Sequence, residues 1–181
     1  MKTKKKKSTR VLNGAEIKKS LERFCREILS RHEDPSRLAF IGIRTRGIHL
    51  ARRLGATMKK LGGKEVPLGE MDITLYRDDL NTLLPGGKVD NTRIPFDIAN
   101  KTLILVDDVL NTGRTVRAAV DHLIDLGRPK AIHLAVLIDR GGRELPIAAE
   151  YVGKKVNLPA GGDVKVRLKE VDKVDEVVVT R

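Results

Sequence analysis

In the stretch Leu103-Ile104-Leu105-Val106-Asp107-Asp108-Val109-Leu110-Asn111-Thr112-Gly113-Arg114-Thr115, two adjacent carboxylates follow four aliphatic residues and precede a loop rich in hydroxyls. The aliphatic run reads as a strand buried on both faces, so Asp107 and Asp108 emerge at its carboxyl end, where open α/β sheets bind ligands. Two unpaired acids do not stay in an apolar interior. Thr112 to Thr115 adds N–H groups, hydroxyls and a guanidinium at the start of the amphipathic segment Val116 to Leu126, the arrangement with which a helix N-terminus holds phosphate. Acids for hydroxyl groups beside a phosphate cradle suit a sugar phosphate. Either half alone would be a solvated turn or a helix cap.

Three further segments place charge at the ends of apolar runs. Arg44-Thr45-Arg46-Gly47 follows the hydrophobic strand Leu38 to Ile43 and offers two guanidiniums with a glycine that allows close backbone approach. By itself it would be a basic turn. Asp72-Ile73-Thr74-Leu75-Tyr76-Arg77-Asp78-Asp79 enters a long stretch to Lys101 with few regular signals, a length of connection that is usually functional or disordered. Leu137 to Ile147 carries Asp139, Arg140 and Arg143 among glycines, and Tyr151-Val152-Gly153-Lys154 follows; the plain reading is a polar hairpin with Tyr151 in the core.

The elements that must hold these segments alternate. Asn13-Gly14-Ala15-Glu16 has the form of a capping box, and Ile17, Leu21, Phe24, Cys25, Ile28 and Leu29 recur at helical spacing. The spacing predicts a second helix over Ile48 to Leu61, a strand at about Val66 to Leu75, and a strand over Ala131 to Ile138 after the helix stop Gly127-Arg128-Pro129. Such β-α alternation implies an α/β fold, a mainly parallel central sheet flanked by helices with right-handed crossovers. The weaker runs at Glu150 to Val152, Val164 to Leu168 and Val177 to Thr180 are expected as extra edge strands.

With 181 residues and 40% hydrophobic content, the chain suits one domain with a sizeable core. The net charge of +12 is uneven: residues 1–10 carry six basic side chains and no acid, so they are expected to form a basic disordered tail ahead of one domain over residues 11–181. A basic remainder permits nucleic acid, but five aromatics supply no stacking platform for single strands. The single cysteine, Cys25, excludes an internal disulfide; it lies on an apolar helix face with no adjacent histidine, which suits a core residue better than a nucleophile. No run approaches the roughly 20 apolar residues that span a bilayer, and the lysine run is not followed by an apolar signal core. A cytoplasmic location without membrane association is expected. The scattered histidines give no zinc spacing.

Taken together, the acidic pair, the Thr112 to Thr115 loop and Arg44 to Gly47 resemble the signature of type I phosphoribosyltransferases, which use 5-phosphoribosyl-1-pyrophosphate (PRPP), and the resemblance covers nearly the whole chain from Val11 onward. It implies a single-domain phosphoribosyltransferase fold. It also implies catalytic roles for Asp107 and Asp108 at the ribose hydroxyls. The 5-phosphate loop would comprise Asn111, Thr112, Gly113, Arg114 and Thr115, and the pyrophosphate loop Arg44, Thr45, Arg46 and Gly47. Arg77 would sit on a lid that closes over PRPP and excludes water. The base pocket would include Asp139, Arg140, Tyr151 and Val152. Magnesium would arrive mainly through PRPP oxygens rather than a protein ligand set.

The similarity is greatest to members that use uracil and also regulate pyrimidine operons. It therefore implies uracil and PRPP as substrates, UMP as product, a homodimer or homotetramer, and pyr leader mRNA as a partner bound under UMP control. Arg23, Arg26, Arg31, Arg143 and Lys154 are the candidate RNA contacts. The chain departs from such relatives at Asn111, usually aromatic, at Gly142, usually histidine, and at Glu22, Arg26 and Ala148. Two other readings stand beside this one: transfer to another base, and an RNA-binding regulator whose site only senses nucleotides.

Overall fold

The computed structural model describes residues 8–32, 34–62, 65–73, 91–159 and 161–180. A five-stranded parallel sheet forms the centre, in the order β3 (Leu68–Met71), β2 (Leu38–Ile43), β4 (Thr102–Leu110), β5 (Ala131–Asp139), β6 (Tyr151–Lys155). The helices α1 (Gly14–Arg31), α2 (Arg46–Gly62) and α3 (Arg114–Leu126) cover it. Strand periodicity sorts the core into two layers. Phe40, Ile104 and Val106 face a cluster that includes Ile17, Phe24, Leu50 and Leu54 from α1 and α2. Ile41, Leu103 and Leu105 face the other, with Val116, Ala119 and Leu123 from α3. This two-sided burial explains the unbroken aliphatic runs in β2 and β4.

The capping box of α1 is present: the Asn13 side chain accepts from the Glu16 N–H at 3.0 Å and Glu16 accepts from the Asn13 N–H at 2.8 Å. Two orphan donors are thereby satisfied at the start of the helix.

The expected edge strands divide. Tyr151–Lys155 joins the central sheet beside β5 as foreseen. The later runs, β7 (Asp163–Arg167) and β8 (Glu176–Thr180), instead form a separate antiparallel sheet with β1 (Ser8–Asn13), in the order β1-β8-β7. Their burial alternates, with Val177 and Val179 enclosed and their neighbours partly open. That is the pattern of an antiparallel sheet with one covered face. A correction to the tail follows: Ser8 to Arg10 pair with Val178 to Thr180 in β1, so an ordered strand begins inside the stretch expected to be disordered. Between β7 and β8 a single turn, α4 (Lys169–Asp172), lies against α2.

Candidate active site

The acidic pair sits near the carboxyl end of β4, at the centre of the parallel sheet. Asp107 is buried and Asp108 half-buried, and the Asp108 N–H donates to the Asp107 carboxylate at 2.8 Å. Burial pushes the Asp108 carboxyl above the usual carboxylate range, against the opposing effects of Asp107, the Arg46 charge and nearby backbone N–H groups. Two adjacent carboxyls, one buried and one half-buried, suit hydroxyl groups that donate to them.

The phosphate loop begins one residue past β4. Gly113 has φ of 93°, a left-handed conformation that favours glycine, and it caps α3 with no side-chain cap hydrogen bond to the helix N–H groups. The Arg114 N–H donates to Thr112 Oγ1 at 3.3 Å, and the Thr112 carbonyl accepts from the N–H groups of Glu144 and Leu145 at 3.0 and 3.2 Å. A cavity of about 400 Å³ is lined by the residues from Val109 to Val116 and by Glu144. Its lining unites the expected Asn111, Thr112, Gly113, Arg114 and Thr115, together with an acid that sequence reasoning passed over: Glu144, which accepts from Arg114 Nε at 2.7 Å. A larger hollow of about 650 Å³ between α1, α2 and α4 contains none of these groups.

Arg44 and Thr45 connect β2 to α2, which opens with Arg46 and Gly47, beside the acidic pair. A Cβ on Gly47 would lie 2.4 Å from the Val106 carbonyl oxygen and 3.2 Å from the Asp107 Cα, so this loop packs directly on β4 where the acids emerge. That contact needs glycine for space. The Arg44–Thr45 peptide is cis. Each arginine has a carboxylate: Arg44 Nε lies 3.7 Å from Asp72 at the end of β3, and Arg46 makes a bidentate pair with Asp172 of α4 at 2.9 to 3.2 Å. Asp172 was not legible as a partner, being distant in sequence and without a motif of its own.

The third segment is tied together by Arg143. Its guanidinium donates to the carbonyls of Asn111 at 2.8 Å and Ile147 at 2.9 Å and to the Asp139 carboxylate at 2.7 Å. Burial would raise the Asp139 carboxyl, but the Gly141 N–H and the Arg143 guanidinium together hold it below the usual range. Arg140 donates through its backbone to Leu110 and through its side chain to the Gly162 carbonyl at 2.9 Å. Asn111 and Gly142, two of the departures, are neighbours: a Cβ on Gly142 would lie 2.9 Å from Asn111 Oδ1, and Gly142 has φ of 72°.

Two expectations are corrected here. Tyr151 is 0% exposed, enclosed in the core with its ring centroid 6.2 Å from that of Phe24, so it does not line an open base pocket. The pleat of β6 turns it toward α1, while Val152, the next residue, packs toward the opposite layer. Arg143, expected among the RNA contacts, is occupied within the loops; four carbonyls and a carboxylate leave its planar fork little to offer a partner.

The other expected RNA contacts lie at the surface of α1 and β6. Arg23 donates to the Val152 carbonyl at 2.7 Å, Lys154 to the Val11 carbonyl at 2.9 Å, and the Arg31 guanidinium lies 5.3 Å from the Tyr151 ring centroid. Arg26 is exposed and makes no ion pair or hydrogen bond among the described residues. Arg77 lies outside the described residues, as do residues 1–7 of the tail.

Among the described residues no three of His, Cys, Asp and Glu converge as a metal cage, and no helix is long and apolar enough to cross a membrane. Asp107 and Asp108, joined by no third His, Cys, Asp or Glu among the described residues, fit a magnesium ion carried mainly by substrate oxygens. Burial pushes the Cys25 thiol up to about 12, which removes it as a nucleophile.

Known proteins share both the sequence and the architecture. The bifunctional protein PyrR of Pelotomaculum thermopropionicum is 50% identical over 174 residues, covering 96% of each chain. That of Deinococcus radiodurans is 53% identical over 167 residues, covering 92% of this chain and 91% of the relative. A hypoxanthine phosphoribosyltransferase of Trypanosoma cruzi superposes with a TM-score of 0.72 at 16% identity, covering 96% of each chain, a likeness of fold alone. The sequence pattern of the phosphoribosyl transferase domain matches residues 8–171, which include the whole central sheet, the acidic pair and both anion loops. With half of its residues shared with the PyrR proteins along almost its full length, the chain belongs to the phosphoribosyl transferase domain family and, within it, to the PyrR group.

Proposed function

We propose that this protein transfers the 5-phosphoribosyl group of PRPP to uracil, giving UMP and pyrophosphate. The observation that carries the reading is the packing of Gly47 on the Val106 carbonyl, which brings the Arg44 to Gly47 segment against Asp107, with the Thr112 to Thr115 segment following the end of the same strand. An anion loop, an acidic pair and a phosphate cradle in that succession match the pyrophosphate, ribose and 5-phosphate parts of one PRPP molecule.

Catalysis in this reading is positioning and electrostatics. Asp107 and Asp108 accept from the ribose hydroxyls and fix the ring. The backbone N–H groups at the start of α3 hold the 5-phosphate. Arg44 and Arg46 stabilise the charge that gathers on pyrophosphate as its bond to the ribosyl carbon lengthens and the uracil nitrogen closes on the other face. The family resemblance assigns Arg77, outside the described residues, the role of covering PRPP. Beside Asp107 and Asp108, magnesium would supply neutralisation of the phosphate charge. No covalent nucleophile is required.

The test is Asp107→Asn assayed with PRPP and a panel of uracil, hypoxanthine, guanine and orotate. The expected outcome is turnover with uracil in the native protein and a fall of about tenfold to a hundredfold in the variant, the scale of a misplaced reactant. Unchanged turnover in the variant would remove the role of the pair, and turnover with a purine or orotate instead would reassign the base.

A second activity, binding of pyr leader RNA under UMP control by a homo-oligomer, draws support from the exposed cations Arg23, Arg26, Arg31 and Lys154 along α1 and β6. Specific recognition predicts preference for leader over scrambled RNA and tightening by UMP, whereas contact through charge alone is sequence-blind and weakens steeply with salt.

A further inference from the structure

Arg46 differs from Arg44 in how it is held. Its Nε and Nη2 engage both carboxylate oxygens of Asp172, at 3.2, 2.9 and 3.1 Å, while the Arg44 contact is one longer approach of 3.7 Å. A fork of this kind fixes the plane of the guanidinium as well as its place. Asp172 is itself fixed, because its Oδ2 accepts from the Leu168 N–H at 3.0 Å at the start of the α4 turn. The turn is in turn clamped to α2: Arg53, two helical turns beyond Arg46, pairs with Glu170 at 2.6 Å and with Asp175 at 2.7 Å. Two arginines on one face of α2 thus grip the segment that links β7 to β8.

The consequence falls on the anion loop. With one edge of its guanidinium taken by Asp172, Arg46 has Nη1 without a partner among the described residues, and its charge acts on Asp108. A long side chain that would otherwise lose much rotamer freedom on meeting a ligand is already ordered.

We propose that Asp172 is a positioning residue for the pyrophosphate end of the site: it holds the Arg46 guanidinium with its Nη1 edge turned to the incoming anion, so that the antiparallel sheet at the chain ends sets the affinity for pyrophosphate and PRPP. This rests on the reading of Arg44 to Gly47 as the pyrophosphate loop. Asp172 touches no substrate and acts through Arg46. Its own negative charge opposes an anion nearby, so the sign of the effect is a real choice: preorganisation outweighs repulsion.

The experiment compares the native protein with Asp172→Asn, Glu170→Gln and Arg46→Ala, measuring kcat, the KM for PRPP, inhibition by pyrophosphate, UMP binding and melting temperature. Asp172→Asn is expected to raise the KM for PRPP and the inhibition constant of pyrophosphate by about fivefold to tenfold, from the loss of preorganisation. UMP binding, which involves no pyrophosphate, stays within about twofold on the same ground. Glu170→Gln, which loosens the same turn without touching Arg46, leaves these constants near native. Unchanged or tighter pyrophosphate binding in Asp172→Asn overturns the proposal, as does an equal loss for UMP or an equal effect of Glu170→Gln, each the mark of a merely structural contact. Arg46→Ala separates the two levels: if it leaves pyrophosphate inhibition unchanged, the reading of the loop itself fails, and if it weakens inhibition while Asp172→Asn does not, the positioning role alone fails.

Discussion

Arg143 donates to the Asp139 carboxylate at 2.7 Å and, from the same guanidinium, to the Asn111 carbonyl at 2.8 Å, so one side chain ties the end of β5 to the mouth of the phosphate loop after β4. Neither strand could hold its loop in this way through backbone ladder bonds, which end where the two strands part.

Replacing Arg143 by alanine removes one donor from Asp139 and from four carbonyls. For a half-buried network the expected loss is about 2 kcal/mol, below the cost of breaking a fully buried pair. The linkage has a sign. Arg143 and the Gly141 N–H hold the Asp139 carboxyl below its ordinary value, so its contribution is present above the ordinary carboxylate range and is lost as pH falls through the lowered value. Denaturant melts of both proteins at neutral pH and at low pH are the measurement: the gap is wide at neutral pH and narrows in acid. Equal stability at neutral pH would show that Arg143 is a surface residue after all.

Gly47→Ala tests the contact on β4. A methyl group placed 2.4 Å from the Val106 carbonyl oxygen must push the Arg44 to Gly47 loop away from the acidic pair, because the oxygen belongs to a central strand paired on both sides and cannot retreat. The expected result is a fall in kcat/KM for PRPP of about a hundredfold, the effect of a displacement near 1 Å, with a small change in melting temperature. Native activity in this variant would mean that the loop and the pair work separately.

Asp108→Asn is expected to cost activity and raise stability. Burial lifts the Asp108 carboxyl, so the folded protein binds its proton more tightly than the unfolded chain does. Stability therefore falls as pH rises from the ordinary carboxylate range through the raised value, and the penalty persists at neutral pH. The neutral amide removes it. Melting curves should show the variant above the native protein at pH 7 and level with it in acid below the ordinary carboxylate range. A variant less stable at pH 7 would show that the charge is compensated.

The alternation of strands and helices was legible in the sequence because two-sided burial leaves continuous aliphatic runs and one-sided helix burial leaves a 3.6-residue period. The capping box of α1 and the full length of β2 were read directly. Tyr151 shows where that reading ends. Its neighbours Val152 and Gly153 suggested a pocket, but the face on which a strand residue points depends on register, and the register of β6 against β5 puts Tyr151 opposite Ala135 and inward. The runs in β7 and β8 were seen as strands, yet which sheet they join depends on finding β1, whose sequence looked like the end of a charged tail.

The chemistry available to this protein follows from residues adjacent in the chain: an acidic pair, two anion loops and a cysteine without a base. Which partners occupy those groups depends on the folded arrangement. Arg143 is spent on carbonyls from both loops, Arg46 is held by a carboxylate 126 positions away, and Glu144 stands in the phosphate cradle. Local sequence fixes types and spacing because neighbours are covalently joined, whereas a guanidinium goes to whichever acceptor the fold brings within hydrogen-bond reach, and no motif records that pairing.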